Sequence, residues 1–174
     1  NLEALNSVIA DARSQGVKRF VCLGDIVGYN ANPSECIDII QKLGCQVIMG
    51  NHDFYTVADE IPAVVNGRAR VSIEWTRENI SVAQREWLSE LPMTRRVGSF
   101  EIVHASMNEP EEWNYVINGI DAIIHFHHQQ TSLCFFGHTH SPMFFTTENR
   151  KTNRGEDHVD LEDGVGYFIN VGSV

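Results

Sequence analysis

The chain has 174 residues, of which 43% are hydrophobic and 21% are charged, and its formal net charge at pH 7 is −10. This length and composition are typical of one globular domain, so we expect residues 1–174 to form a single domain. The negative charge argues against nucleic acid or an anionic membrane as a partner held by charge alone. No apolar run approaches the ~20 residues of a membrane span, and the four cysteines form no CxxC pair, so we expect reduced thiols and a cytoplasmic protein.

The first predicted elements alternate between helices and strands. Apolar residues at helical spacing over residues 2–12 predict a helix that Gly16 ends, and the continuous apolar run of residues 19–23 predicts a buried strand. An Asn-Pro pair opens a second helix over residues 33–43, and residues 46–49 form the next buried strand. This order with short turns is a βαβ unit, so we expect the two strands to be parallel.

The rest of the chain mixes helices with strands, and the whole sequence therefore predicts an α/β fold. Spaced apolar residues predict two helices within residues 66–91, and residues 109–128 are also predicted to be helical. Short apolar runs predict further strands, and a charged, glycine-containing segment predicts a surface loop. These strands are residues 100–103, 133–136, 143–146 and 166–171, and the loop is residues 147–165.

Polar side chains follow four of the predicted strands, directly after the apolar run. They belong to Asp25, Asn51, His104, His138 and His140, and a glycine introduces three of the four segments. Such a glycine lets the backbone turn sharply and approach a ligand closely. Because ligands of open α/β sheets bind outside the carboxyl ends of the strands, we expect all five side chains at one rim.

The five side chains offer oxygen and nitrogen donors and no thiolate. This set suits borderline-hard divalent cations better than a structural cysteine zinc site. Asp25 has two oxygens and could bridge two ions, and Asn51 could add a neutral carbonyl oxygen. His138 and His140 are one residue apart and need not bind the same ion. Each motif alone has an ordinary explanation as a turn or a buried structural histidine, so the shared strand-end position carries the metal hypothesis.

Other conspicuous residues have structural explanations. His125, His127 and His128 crowd one predicted helix, and we expect solvated or locally hydrogen-bonded side chains there. The three tryptophans are expected to pack in the core or on the surface. Tyr29 and Asn30, which follow the first glycine-bounded turn, are candidates for lining a substrate cleft.

Three other hydrolase classes do not fit the His-x-His pair. Amidohydrolase barrels carry such a pair near the start of a longer chain, whereas here it lies near the end. The metallo-β-lactamase pattern continues with x-Asp-His, whereas Ser141 and Pro142 follow here. Zinc deaminases need H-x-E and a PCxxC motif, and the sequence contains neither.

The motifs GDIVG (24–28), GNHD (50–53), VH (103–104) and GHTH (137–140), in this order, resemble the successive signature motifs of the calcineurin-like metallophosphoesterases. The stretches LGDIVGYNANPSECIDII and FINVGSV resemble the small bacterial branch of that superfamily. The resemblance covers the whole chain. It implies an α/β fold of the metallophosphoesterase type, an α/β/β/α sandwich with mixed sheets.

The resemblance also implies a set of metal ligands. Asp25 would bridge two ions, and His140 would bind one of them. The other ion would be completed by Asn51, His104 and His138. The ions would be manganese, iron, zinc or similar divalent metals.

The implied activity is metal-dependent hydrolysis of phosphomonoesters or phosphodiesters by a hydroxide that a dinuclear metal site activates. His52 resembles the family histidine that contacts the phosphate and can protonate the leaving group, and Asp53 would orient that imidazole. The expected partner is a phosphate-ester substrate, with no nucleic acid and no membrane. A scaffold of this fold that binds a partner protein without catalysis is the alternative, although each ligand-type residue of the four motifs is present. The substrate, the metal identity and the oligomeric state stay open.

One motif of the family has no counterpart here. The family opens with a D-x-H motif at the end of its first strand, and the opening NLEALNSVIA resembles the helix that follows it. We therefore expect an excerpt of a longer chain that lacks this first strand, with NVGSV stopping before a family tail. One of the two metal sites would then be incomplete in this chain, with only Asp25 and His140 as ligands.

Overall fold

The computed structural model describes residues 1–149 and 151–174. These residues form two compact units, residues 1–91 together with Val174, and residues 92–173. The single domain expected over residues 1–174 stays a prediction. No helix in the described part of the chain is long and apolar enough to cross a membrane.

The first unit combines helices with a two-stranded sheet. Its described elements are α1 (Leu2–Ser14), β1 (Val21–Cys22), α2 (Pro33–Leu43), β2 (Gln46–Val47), α3 (Asn51–Val57), α4 (Gly67–Glu78) and α5 (Val82–Ser89). The predicted βαβ unit is confirmed, because β1 and β2 pair in parallel and α2 lies between them in the chain. The two helices predicted within residues 66–91 are confirmed as α4 and α5.

The two strands of this unit are shorter and more exposed than the sequence predicts. Only two residue pairs form, Val21 with Gln46 and Cys22 with Val47. Val21 is 38% exposed to solvent. The prediction of a buried strand over residues 19–23 is therefore wrong in length and in burial. An apolar run shows that a segment suits a sheet, but it does not show how many strands pair with it.

Helix α3, which no sequence pattern predicted, is held at both ends. Asp53 accepts a hydrogen bond at its start, as described below. At its end the Arg77 Nη2 donates to the carbonyl oxygens of Tyr55 and Ala58, each at 2.6 Å, and the Arg85 Nη2 donates to that of Val57 at 3.2 Å. A helix of seven residues is marginal alone, so these bonds to its last carbonyls help to fix it.

The second unit contains a six-stranded mixed sheet. Its described elements are β3 (Thr94–Val97), β4 (Phe100–Val103), a 3₁₀ turn (Pro110–Glu112), α6 (Gly119–Phe126), β5 (Leu133–Phe136), β6 (Met143–Glu148), β7 (Lys151–Gly155) and β8 (Gly166–Asn170). The strand order is β3-β4-β5-β8-β6-β7. Strands β4, β5 and β8 are mutually parallel, and the other neighbours are antiparallel. The α/β class is confirmed.

The core of the second unit lies between the sheet and α6. It consists of apolar side chains of β4, β5, β6, β8 and α6, together with Val116 from the segment before α6. Phe136, Phe145 and Phe168 are fully buried, and the rings of Phe136 and Phe168 stack with centroids 3.8 Å apart. This core fixes the ends of β4 and β5, which His104 and His138 follow.

The segment 109–128 is helical only in part. It contains the 3₁₀ turn and α6, and the residues between them are not helical. Trp113 has a left-handed backbone, with φ 55°. Asn118 caps α6, because its Oδ1 accepts the N–H groups of Ile120 and Asp121 at 2.8 and 3.1 Å. The predicted continuous helix is wrong because a cap of this kind starts a new helix instead of continuing one.

The predicted loop over residues 147–165 contains part of a hairpin. Strand β7 pairs with β6 from Phe144 opposite Gly155 to Glu148 opposite Lys151. The prediction is wrong for residues 147–148, which extend β6, and for residues 151–155, which form β7. Backbone hydrogen bonds can pair a polar strand whose side chains stay in water. Arg150, which also falls in the predicted loop, lies outside the described residues.

Candidate metal centre

Asp25 occupies the turn that follows β1. Its backbone is left-handed, with φ 53°, a conformation that Asp tolerates better than most residues. The Asp25 Oδ1 accepts the backbone N–H of His52 at 3.0 Å, at the start of α3. The Asp25 Oδ2 accepts the hydroxyl of Tyr29 at 3.3 Å. The carboxylate thus connects the turn after β1 with the first turn of α3.

Asp53 holds the same two segments together through further hydrogen bonds. It is fully buried, and its Oδ1 accepts the N–H groups of Ile26 at 2.9 Å and Val27 at 3.2 Å. Its Oδ2 accepts the N–H of Gly50 at 3.0 Å. Three backbone donors stabilise a buried carboxylate in its charged form. Asp53 therefore fixes the turn after β1 to the start of α3.

Two glycines allow the close approach of these segments. A Cβ on Gly50 would overlap the backbone nitrogen and the carboxylate of Asp25. A Cβ on Gly28, which has φ 96°, would lie 2.6 Å from the Nδ1 of His52. Both positions therefore exclude a larger residue while the turn and α3 keep their spacing.

His52 lies buried at the start of α3, next to Asn51, which is also buried. Its imidazole stacks on the ring of Tyr29, with centroids 3.9 Å apart and an interplanar angle of 27°. We call the group Asp25, Tyr29, Asn51, His52 and Asp53 the aspartate cluster. It belongs to the first unit.

The second unit brings two predicted ligands together. His104 follows β4, and His138 follows β5 after one glycine. Both are buried, and the His104 Nε2 lies 3.3 Å from the His138 Nδ1. Since β4 and β5 are parallel neighbours, their carboxyl ends lie side by side, which is the arrangement that the sequence predicted for these two residues.

Asn170 holds the turn that carries His138. It ends β8, is buried, and its Nδ2 donates to the carbonyl of Gly137 and to the Oγ1 of Thr139, the second at 2.9 Å. Its Oδ1 accepts the N–H of Gly172 at 2.8 Å. No motif marked Asn170 as a site residue, although it is also a polar residue at the end of an apolar strand.

Two aromatic rings contact the paired imidazoles. Trp113 meets His104 edge to face, with centroids 5.8 Å apart, and Tyr115 lies against His138 with centroids 4.2 Å apart. We call the group His104, Trp113, Tyr115, His138 and Asn170 the histidine cluster. No sequence motif marked the two rings, because they come from the irregular segment between the 3₁₀ turn and α6.

Three of the five predicted ligands have a left-handed backbone. These are Asp25, His138 with φ 60° and His140 with φ 57°, and the described part of the chain has six such residues other than glycine. Residues held in this sparsely populated region cost free energy and cluster at functional sites. His140 is exposed, unlike His104 and His138.

The donors of the histidine cluster fit a divalent metal ion in type and in spacing. Imidazole nitrogens about 2.0–2.1 Å from one ion lie about 2.9–3.4 Å apart for ligand angles of about 90–110°, and the pair here is at 3.3 Å. Among residues 1–149 and 151–174, no three or more His, Cys, Asp or Glu side chains form a group that could hold a metal ion. The fit is therefore that of a pair of ligands for one ion.

The thiols are poor competitors as metal ligands. All four cysteines are free. Burial raises the pKa of Cys22 to about 12 and also raises the pKa of Cys134 and of Cys45. The thiolate that binds metals is thus disfavoured, in agreement with a site made of oxygen and nitrogen donors.

His125 is a structural histidine, as the sequence predicts. Its Nδ1 accepts the N–H of Met107 at 3.1 Å, so its Nε2 carries the proton and donates to the Oε1 of Gln129 at 2.9 Å. Its ring stacks on Phe168. Burial lowers the pKa of His125 to about 3, so the side chain is a neutral part of the core.

The family model of the calcineurin-like phosphoesterase superfamily domain matches residues 1–174. The chain belongs to this superfamily. The family hydrolyses phosphoesters and generally binds divalent metals. The resemblance that the four motifs indicate is thereby confirmed.

Relatives and solved structures agree with this family. An uncharacterised protein of Methanocaldococcus jannaschii is 35% identical over 179 residues, which cover 100% of this chain and 72% of the relative. The crystal structure of a metallophosphoesterase from Sphaerobacter thermophilus is 31% identical, with a TM-score of 0.79 over 98% of this chain and 71% of that one. A hypothetical protein from Pyrococcus horikoshii, 18% identical, matches with a TM-score of 0.73 over 99% of this chain and 71% of its own, and shows the fold alone.

Proposed function

We propose that this calcineurin-like phosphoesterase hydrolyses phosphomonoesters or phosphodiesters with two divalent metal ions as cofactors. The observation that carries the proposal is the 3.3 Å approach of the His104 and His138 ring nitrogens. This distance between two buried ring nitrogens is longer than the usual hydrogen-bond length of about 2.9–3.0 Å. It suits two imidazoles that bind the same ion.

The ligands are proposed from the motifs as Asp25, Asn51, His104, His138 and His140. Manganese, iron and zinc all accept such carboxylate, amide and imidazole donors. When bound, the ions lower the pKa of a water molecule and neutralise charge on the phosphoryl oxygens. A protein of net charge −10 can then bind an anionic ester, because bound cations dominate the local field.

His52 is proposed to act on the substrate. An imidazole of either charge can donate a hydrogen bond to a phosphoryl oxygen, and the protonated form can give its proton to the leaving oxygen and become neutral. Its backbone N–H is held by the Asp25 Oδ1 at 3.0 Å. Asp53 was expected to orient the His52 imidazole; the bonds described above give it a second role, in which it fixes the start of α3 and hence the position of His52.

The proposal is tested with metal content and a substrate panel. The full-length protein is loaded with manganese, iron, zinc or magnesium, its bound metal is measured by mass spectrometry, and aryl phosphomonoesters, bis-aryl phosphodiesters and dinucleoside polyphosphates are assayed. We expect bound metal and turnover that a chelator removes. A protein that binds metal without hydrolysing any of these esters, or that binds no metal, contradicts the proposal and favours a scaffold of this fold. A cytoplasmic location is proposed from the free thiols and would be checked by cell fractionation.

His104→Ala and His138→Ala test the ligand pair. We expect each to lower metal-dependent turnover at least about 100-fold. Replacing a residue that only hydrogen-bonds to a metal ligand already lowers metal affinity or activity about 10- to 100-fold. His158→Ala is the matched control, since His158 is an exposed histidine that contacts Asp160. Retained turnover of a bis-aryl phosphodiester in a folded His104 or His138 variant would refute the assignment.

A further inference from the structure

Tyr29 makes two contacts with predicted site residues, although it is 47% exposed. Its ring stacks on the imidazole of His52 with centroids 3.9 Å apart, and its hydroxyl donates to the Asp25 Oδ2 at 3.3 Å. An aromatic ring that only covered apolar surface would need neither the stack on an imidazole nor the hydrogen bond to a carboxylate. The position of Tyr29 is thus tied to two polar side chains of one cluster.

The contacts of Tyr29 close a ring of interactions. The Tyr29 hydroxyl donates to one oxygen of Asp25, the other oxygen of Asp25 accepts the N–H of His52, and the imidazole of His52 stacks on Tyr29. The hydrogen bond fixes the outer end of the tyrosine ring, and the stack transfers that orientation to the imidazole. A ring of contacts restrains rotation of both side chains more than either contact alone.

Gly28 restricts the imidazole from a second direction. A Cβ at this position would lie 2.6 Å from the Nδ1 and 2.7 Å from the Cβ of His52. The imidazole therefore packs directly on the backbone of the turn, and the next residue along that turn is Tyr29. The Gly28-Tyr29 pair thus confines the imidazole through one backbone contact and one ring contact.

We propose that Tyr29 is a positioning residue that fixes the orientation of the His52 imidazole for proton transfer to the phosphate ester. This inference rests on the proposed function for the role of His52, and it gives Tyr29, which the sequence offered only as a candidate for lining a substrate cleft, a specific task. The stack is the main contribution, and the hydroxyl anchors the stacked ring. Tyr29 acts through His52 and does not itself transfer a proton.

The test combines nuclear magnetic resonance with kinetics on the full-length protein. The His52 Cε1 proton is assigned in the metal-free protein from the signal lost in His52→Gln. A stacked tyrosine shifts this proton upfield, so Tyr29→Leu should move it downfield toward the position of the exposed His158, whereas Tyr29→Phe should keep it near the wild-type position. In the metal-loaded protein we expect kcat to fall about tenfold in Tyr29→Leu and about threefold in Tyr29→Phe, with KM within about twofold.

Trp75→Leu is the control, because Trp75 is an aromatic residue of similar exposure on α4 of the same unit. An unmoved His52 resonance in Tyr29→Leu, an unchanged kcat, or an equal effect of Trp75→Leu overturns the inference. Thermal unfolding of each variant shows that the fold is kept. If His52→Gln hydrolyses esters as fast as the wild type, the proposed role of His52 fails, while a moved resonance in Tyr29→Leu still supports the positioning.

Discussion

The aspartate cluster and the histidine cluster are each held by one buried polar side chain, but the two side chains have opposite chemistry. Asp53 is a carboxylate that accepts three backbone N–H groups. Asn170 is an amide that donates to a carbonyl and a hydroxyl and accepts one N–H. Both lie next to the glycine-bounded turns that carry predicted ligands.

The difference follows from what the backbone presents at each place. The start of α3 and the turn after β1 present N–H groups, which a carboxylate can accept without donating anything. At Asn170 the turn after β5 presents a carbonyl and a hydroxyl, and Gly172 after β8 presents an N–H. Only a side chain with both donors and an acceptor can satisfy all three groups. The comparison predicts that exchanging the two chemistries by isosteric substitution is costly at both positions.

Asn170→Asp should have the largest effect. The new carboxylate oxygen would face the carbonyl of Gly137, and a buried charge whose second oxygen lies against an acceptor costs about 3–5 kcal/mol of unfolding free energy at pH 7. Because burial raises the pKa of such a carboxyl, the folded state binds the proton more tightly and part of the loss should recover as the pH falls. Urea unfolding at pH 7 and pH 5 measures both effects.

Asn114→Asp, at an exposed position of the second unit, is the control for that substitution. It should change the unfolding free energy by less than about 0.5 kcal/mol. A loss at Asn170 no larger than the loss at Asn114 would show that the amide does not hold the turn.

Asp53→Asn should have the next largest effect. The substituted amide places an NH₂ group against backbone donors, so we expect a loss of about 2–4 kcal/mol in unfolding free energy. Asp38→Asn is the matched control, because Asp38 is exposed and accepts one hydrogen bond from Gln84 at 2.7 Å. If the two variants unfold at the same urea concentration, Asp53 does not fix the turn after β1 to the start of α3.

His125, which lies in the core and outside the histidine cluster, should affect how the free energy of unfolding depends on pH. Its folded pKa of about 3 lies below the ordinary value of about 6.5, so the unfolded state binds more protons between these values. Stability should therefore fall as the pH drops from about 6.5 to about 3, by up to about 1.4 kcal/mol per pH unit from this group. His125→Gln should show a shallower pH dependence than wild type in urea unfolding, while His127→Gln, at an exposed position, should show the wild-type slope.

Tyr115→Leu should have the smallest effect. Tyr115 is 62% exposed and its ring lies against His138, so removing the ring contact should cost about 0.5–1.5 kcal/mol of unfolding free energy. Tyr115→Phe keeps the ring and should unfold like the wild type. A loss in Tyr115→Phe equal to that in Tyr115→Leu would assign the effect to the hydroxyl instead of the ring.

The parts of the site that the sequence predicted are those that depend on chain order. Polar residues directly after apolar runs led to Asp25, Asn51, His104 and His138, and the parallel pairs β1–β2 and β4–β5 place such residues at strand ends. Asn170 follows the same rule at the end of β8 and could have been found by it. Helix α3 was not predicted because its seven residues are too few to show a helical period of apolar residues. Strands β3 and β7 were not predicted because they are polar and pair with their neighbours through backbone hydrogen bonds.

The sequence alone determined the family, the type of donor atoms and their order along the chain, because these depend on which residue follows which strand. The tertiary structure decided which side chain holds which turn. Asp53 meets the N–H groups of Ile26 and Val27, and Asn170 meets Gly137, across more than 25 residues of chain in each case. The direction of those backbone groups depends on the left-handed turns and on the register of the strands, which no local pattern of residue types encodes.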